Sequence, residues 1–483
     1  MTEKFITYEM FGAVGDGMAD DMPAIVRAHE EANRLHLPVK AREGATYYIS
    51  PKKATAYVQT STDWTGAKII IDDRQCEDLR APVFELIPSE EPVALDIAAL
   101  TRGQTELPNP TGRDLYVVAE NKNHADYIRK GLNQDNGHPR TDTFVLFADG
   151  RISSPISFDF DEITDLYAIP LEQETIFLTG GEFTTIANQA ESRYTYHARN
   201  IEIRRSNVDV SGFTHLVTGE IDHGAPYRGF ISSVRTANVT VHDCVFTAHF
   251  IYWTIGSAKL PVAMGSYDIN IGHSANITFA RCTQTTDIYD NRYWGLMGSN
   301  YCRDLTFEDC VFSRFDAHMG VSNCTLRRCK LGWQCLNAIG NGDFLIEEVD
   351  AYGRAFISLR GDYGSTWRGQ MTIRNSTWHP QSDNRSIIAG HNGGDHYFGY
   401  DCYLPDVVID GLTVVADDAP GTPLYVFNDY TATQRYFGME KHMPEEIKYP
   451  MIPPKTVCVK NISRPVSLCE TPALMPDTEY TVE

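Results

Sequence analysis

The chain has 483 residues, 42% hydrophobic and 22% charged, with a formal net charge of −22. That balance supplies a large buried core and excludes a disordered or fibrous chain. The acidic excess argues against nucleic acid as a partner, because phosphate binding needs a basic stripe, and no run of about 18 apolar residues exists to span a membrane.

From the start of the chain, Phe11-Gly-Ala-Val-Gly-Asp-Gly17 leads through Asp20-Asp21 into an amphipathic helix with Ile25, Ala28, Ala32 and Leu35 on one face. Asp21 is placed to cap it and Pro23 suits its first turn. Gly44 and Tyr47-Tyr-Ile49 then return the chain to strand, and Ala67-Lys-Ile-Ile-Ile71 follows. Residues 1–89 read as a cap with the first strands. From 90 to 193 short strands alternate with turns, as in Asp114-Leu-Tyr-Val-Val118, Thr143-Phe-Val-Leu-Phe147 and Thr175-Ile-Phe-Leu178. This reads as a small β-rich insertion packed near one end of the molecule.

The segment 194–415 carries a repeat. Asn238-Val-Thr-Val-His-Asp-Cys244, Asn276-Ile-Thr-Phe-Ala-Arg-Cys282, Asp304-Leu-Thr-Phe-Glu-Asp-Cys310 and Asn323-Cys-Thr-Leu-Arg-Arg-Cys329 share one pattern. Weaker copies begin at Asn200, Asp343, Gln370 and Asp406, giving spacings of 38, 38, 28, 19, 20, 27 and 36 residues. A unit of about twenty residues opening with a strand that alternates apolar and polar cannot bury its own apolar face, so it stacks on its neighbours. That predicts an all-β parallel β-helix. Its inward rows are Val239, Ile277, Leu305, Cys324, Phe344, Met371 and Val407, with Val241, Phe279, Phe307, Leu326, Ile346, Ile373 and Ile409 two positions on. After Asp410 prolines accumulate, and 416–483 reads as a cover with one late strand, Thr456-Val-Cys-Val459.

The stretch Phe11 to Ile25, with its Phe-Gly-Ala-x-Gly-Asp-Gly-x-x-Asp-Asp-x-x-Ala-Ile pattern, resembles the pectate-lyase-like superfamily of right-handed parallel β-helices. The resemblance implies that this motif builds the first turn and capping helix, which makes Asp16, Asp20 and Asp21 structural. It brings no catalytic set. The polygalacturonase-type Asn-Thr-Asp, Asp-Asp, Gly-His-Gly and Arg-Ile-Lys signatures and the pectate lyase arginine motif are absent from the repeats.

Cys244, Cys282, Cys310 and Cys329 share one repeat position, which predicts an internal ladder of small side chains rather than disulfides. Together with a start that lacks signal-peptide features, this favours a reducing, cytoplasmic location, unless a leader has been removed. No metal and no cofactor is predicted: CxxC pairs with matching histidines and Asp-rich loops at calcium spacing are absent.

Function must therefore be argued from residues that point away from the core. A second strand in each unit ends in glycine, as in Trp294-Gly-Leu-Met-Gly298 and Asp316-Ala-His-Met-Gly320. Counting back from Gly320 puts Met319 and Ala317 inward and His318, Asp316 and Arg314 outward. The same parity one unit earlier puts Trp294, Arg292 and Asp290 outward. Arg360-Gly-Asp-Tyr363 and His391-Asn-Gly-Gly-Asp-His396 widen the cluster with Asp362, Asp395 and two histidines. The loop Glu220-Ile-Asp-His223 is a possible subsite wall. The competing reading of this row is a solvated ladder of ion pairs.

An aromatic face, arginines and paired carboxylates outline a sugar site. The first reading is a glycoside hydrolase on an oligosaccharide, with Asp316 as acid or nucleophile, Asp290 or Asp362 as its partner and His318 as relay. Arg292, Arg314 and Arg360 would hold substrate, with Trp294, Tyr363, His391, Asp395 and His396 around it. The alternatives are a polysaccharide lyase acting beside a uronate carboxylate and a non-catalytic glycan-binding or spike-like protein. The expected partner is an oligosaccharide or polysaccharide, with neither nucleic acid nor membrane, and a homo-oligomer is possible.

Overall fold

The structure is a computed structural model and describes residues 4–128, 137–256, 259–295, 297–381, 383–390, 401–419, 421–429, 435–436, 439–440 and 451–483. The repeat strands stack as predicted into a parallel β-helix. Val208–Ser211, Ala237–His242, Ala275–Ala280 and Arg303–Glu308 pair in parallel, and the ladder continues through Cys324, Phe344, Met371, Val407 and Val457. We call this the repeat face. Both predicted inward rows are buried, and they fill the lumen with close aromatic stacks such as Phe279 on Phe307, 4.9 Å apart.

The corner that enters the repeat face is left-handed. Asn207, Asn238, Asn276, Asp304 and Asn323 have φ of 59°, 58°, 55°, 54° and 56°. Asparagine and aspartate visit this region most cheaply among residues with a side chain. Their side chains also form a ladder: Asn276 Nδ2 donates to Asn238 Oδ1 at 2.7 Å and Asn238 Nδ2 to Asn207 Oδ1 at 2.9 Å. At the next corner the cysteines are buried free thiols. Each donates to the carbonyl two residues before it, at 3.1 to 3.4 Å.

Two further faces close the coil. A short one runs through Glu182–Ile186, Thr214–Thr218, Val245–Phe246, Thr283–Gln284 and Val311–Phe312. The other, which we call the open face, runs through Phe84–Leu86, Ile201–Ile203, Arg228–Val234, Tyr267–Gly272 and Met297–Asn300. Asn200 therefore does not start a repeat-face copy. Ile201–Ile203 lies on the open face, and the true neighbour of Asn238 is Asn207, which shares its conformation and its side-chain ladder.

Other expectations from the sequence are also revised. Ile176–Thr179 and Glu182–Ile186 pair with Thr62–Asp63 and Lys68–Asp72, so the coil has resumed well before residue 193. The insertion is an antiparallel sheet of Leu115–Asp126, His138–Leu146 and Asp165–Pro170. It packs on the flank of the middle coils, not at one end, through Tyr116, Val118 and Val145 against Ala237 and Ala275. Arg303, 1% exposed, locks it there by ion-pairing with Asp142 and bonding Ser157 Oγ at 2.6 Å.

The tail is more than a cover, because Thr456–Ile462 and Glu479–Val482 add rungs to the repeat face. The helix forms at Met22–Leu35 with Pro23 in its first turn, but Asp21 makes no side-chain cap. Its carboxylate instead accepts from Val14 N at 2.6 Å and Gly15 N at 3.2 Å, pinning the glycine-rich loop. No helix among the described residues is long and apolar enough to cross a membrane.

Candidate functional site

A cavity of about 620 Å³ lies on the outside of the open face. Its floor is made of side chains that alternate outward along the paired strands: Arg228 beside Tyr267, then Asn270, Asn300 and Met319. The insertion supplies one wall through His138. Loops before the strands supply the other, with Arg80, Tyr194, Tyr196 and Trp294, joined by Ala263 of the strand Pro261–Met264. His318, Arg360 and Tyr363 close one end.

Tyr267 is fixed by small neighbours. A Cβ on Gly265 would fall 2.6 Å from its phenol oxygen, and one on Gly298 would fall 3.1 Å from its ring. Its hydroxyl points to Asp316 Oδ2 at 3.4 Å, and burial, then the Asp316 charge, raise its pKa. His318 Nδ1 lies 2.7 Å from Asn300 Oδ1. An amide oxygen only accepts, so Nδ1 carries the proton and Nε2 is the basic nitrogen. His273 is pushed down to about 4 by burial and by Arg235 and His138, and is neutral near pH 7.

Asp316 is fully buried beneath this floor. It accepts from Arg314 Nη2 at 2.6 Å and Arg360 Nη1 at 3.2 Å. Burial pushes its carboxyl up, but Arg314 and Arg360 more than offset that and hold it below the usual range. Arg360 grips Asp362 with two bonds of 3.0 and 3.2 Å, and Arg314 stacks over Trp294 at 4.7 Å. Two arginines and two aspartates thus form a neutral block under the cavity.

Of the residues proposed from sequence, Trp294, His318, Arg360 and Tyr363 line the cavity, and Asp316, Arg314 and Asp362 support it. Asp290 and Arg292 do not belong. They pair with each other at 2.5 Å in a surface turn, with the Arg292 side chain 70% exposed. Parity counted back from Gly298 fails because the strand begins only at Met297. Met319 is not inward either. It turns out to Tyr301 and Tyr363, because Gly320, at φ 64°, breaks the alternation. His391, Asp395 and His396 lie outside the described residues.

Sequence reasoning missed Arg228, Tyr267, His138 and His273. The signal for two of them was present: Ile269 and Ile271 alternate with polar residues just before the copy at Asn276, as Ile231 does before Asn238. The second-strand pattern ending in glycine also fits Tyr252-Trp-Thr-Ile-Gly256, but Tyr252–Ile255 is half of a hairpin with Pro261–Met264.

The lining is basic and aromatic. Arg80, Arg228 and Arg360 and three histidines face the cavity, and no carboxylate is among its described lining residues. Arg80 and Arg228 make no ion pair with any described residue. Among the described residues no group of three or more His, Cys, Asp or Glu is arranged to hold a metal ion.

No protein-family model matches the chain. It is similar to the capsule KL64-specific depolymerase of Klebsiella phage P510, 27% identical over 140 residues, covering 26% of this chain and 13% of that protein. The match thus spans only a small part of that relative's length. Three solved structures share the fold. The tailspike gp61 of Pseudomonas phage phi297 aligns over 96% of this chain and 81% of its own, at 10% identity and a TM-score of 0.56. The gp54 tailspike of Acinetobacter baumannii bacteriophage AP22, solved with capsular saccharide, aligns over 99% and 79% at 10% identity and 0.55. The tailspike gp49 of Pseudomonas phage LKA1 aligns over 96% and 83% at 12% identity and 0.52. At these identities the likeness is one of fold.

Proposed function

We propose that this chain is a carbohydrate-active protein that takes an acidic polysaccharide in the open-face cavity and cleaves it by β-elimination beside a uronate. The observation that carries this reading is electrostatic. In a chain of net charge −22, this cavity is lined by Arg80 and Arg228, neither in an ion pair with a described residue, and by three histidines and the aspartate-paired Arg360, with no carboxylate among its described lining residues. Aromatic rings beside those cations suit a sugar face. The phage P510 relative's name, a capsule depolymerase, and the saccharide solved with the AP22 tailspike support a glycan ligand.

The chemistry follows from the groups present. Arg228 and Arg80 hold the uronate carboxylate and stabilise charge that develops on it as the adjacent C5–H bond breaks. His318 Nε2 takes that proton. The electron pair forms the C4–C5 double bond, the C4–O bond breaks, and the leaving glycosidic oxygen takes a proton from water, while Tyr267, its hydroxyl turned down to Asp316, forms part of the floor. A paired-carboxylate hydrolysis is less well served here, since Asp316 and Asp362 are both buried and committed to arginines.

The test is turnover of a panel of uronic and neutral oligosaccharides, following unsaturated product and reducing ends together. Unsaturated product that is lost in His318→Gln, with at least a tenfold weaker KM in Arg228→Gln, supports the proposal. Reducing ends without unsaturation would replace elimination by hydrolysis, and binding without turnover would leave a glycan-binding protein.

A further inference from the structure

The hairpin Tyr252–Ile255 and Pro261–Met264 stands outside the coil and has two distinct faces. Residues directly opposite in an antiparallel pair project to the same side. Tyr252 pairs with Met264, and both are buried; Trp253 pairs with Ala263 on the other side. Ala263 lines the cavity. Trp253, 58% exposed, therefore stands on the cavity-facing side of the hairpin, at its rim, with Ile255 at 64% beyond it.

An exposed indole is expensive unless something covers it, and this one is held firmly. The Tyr252 hydroxyl donates to Glu220 at 2.8 Å, and the Phe250 amide donates to the same oxygen at 3.3 Å. His249 lies 3.0 Å from Glu220 and is stacked on Tyr227. Gly224 fits against the Tyr252 ring, where a Cβ would lie 3.0 Å away. Glu220 thus anchors the rim from its loop, against the buried His249.

We infer that Trp253 is a stacking subsite for a further sugar ring of the glycan chain held in the cavity, so that the protein binds an extended polymer across its rim. This rests on the proposed glycan function. The occupant follows from continuity: the indole shares a face with Ala263 in the cavity wall, and a ring leaving the cavity past Ala263 meets it. The flat apolar face suits the C–H face of a pyranose.

The experiment is titration of wild type, Trp253→Ala and Trp253→Phe with oligouronates from disaccharide to octasaccharide, read by calorimetry and by tryptophan fluorescence. The expected result is unchanged affinity for the shortest ligand and a loss of roughly 3- to 10-fold for the longest in Trp253→Ala, largely restored in Trp253→Phe. Quenching in wild type should grow with ligand length. Wild-type binding that Trp253→Ala leaves unchanged at every length, or weakens equally at every length, overturns the subsite while leaving the cavity reading intact. A wild type that binds no oligouronate overturns both.

Discussion

The repeat face and the open face are built from the same turns of chain, yet they obey different rules. On the repeat face each rung supplies the same type at the same position, and the pairing register runs through Val239, Ile277, Leu305, Cys324 and Phe344. Its corner charges are matched, as where Arg281 Nε meets Asp243 at 2.7 Å. On the open face the register shifts between Arg228 and Ile231, Gly320 breaks the alternation, and two arginines stand without an ion-pair partner among the described residues. Repetition stores stability and departures from it mark function, because a solenoid gains a site only by breaking its own pattern.

The sharpest way to break that comparison is Asp316→Asn. If Asp316 were a catalytic acid, the substitution would remove turnover and leave the fold unchanged. If it is the counter-charge that lets Arg314 and Arg360 sit under the cavity, the variant leaves buried guanidinium charge uncompensated. We expect a loss of about 3–5 kcal/mol in urea unfolding, together with weaker ligand binding as the floor shifts. A variant as stable as wild type but inactive would return Asp316 to the chemistry.

How legible each face was follows from the same contrast. The lumen could be written down from sequence because a period-2 strand allows only two orientations and the copies fix the phase. The Asn200 copy misled because Ile201-Glu-Ile203 has the same alternation as a repeat strand, and alternation alone does not say which face of the coil a strand serves. On the open face, parity from a terminal glycine worked for Asp316 and His318 and failed for Asp290, Arg292 and Met319. In those cases a surface turn or a positive φ intervenes, and neither leaves a trace in apolar spacing. His138 enters the cavity from 135 residues of sequence before His273 and 163 before Tyr301, its neighbours there. No local pattern encodes that meeting.

A second expected outcome concerns acid. His29 and His197 are buried and His273 is nearly so. Burial pushes them down to about 3, about 4 and about 4, with Arg199 adding to it at His197. Folded values below the unfolded value mean that the unfolded chain binds more protons. Stability is thus complete above an unfolded pKa of about 6.5 and falls as pH drops towards 4, by up to about 1.4 kcal/mol per pH unit for each histidine. His249, raised to about 9 because Glu220 and Asp268 outweigh its burial, acts in the opposite sense but only between about 9 and 6.5, whereas Asp73, raised to about 7 by burial, opposes the histidines within the window and offsets about one of the three. Urea midpoints measured between pH 7 and 4 check the slope. A flat profile would show that these histidines are not the neutral, buried groups described. His273 lines the cavity, so ligand binding should weaken before the repeat face unfolds.

The smallest effect separates corner geometry from corner bonding on the repeat face. Asn276 has φ 55° and its Nδ2 donates to Asn238 Oδ1 at 2.7 Å. Asn276→Ala loses both the bond and the residue type that tolerates the left-handed region, whereas Asn276→Gly loses only the bond. The alanine variant should cost about 1–2 kcal/mol, from the sum of one exposed hydrogen bond and the left-handed penalty, and the glycine variant distinctly less. Neither should change affinity for an acidic oligosaccharide, because the corner carries only the stack. If glycine cost as much as alanine, the side-chain ladder would be the stabilising element and the backbone conformation incidental. If either variant altered binding, the division of labour between the two faces would fail at its most regular point.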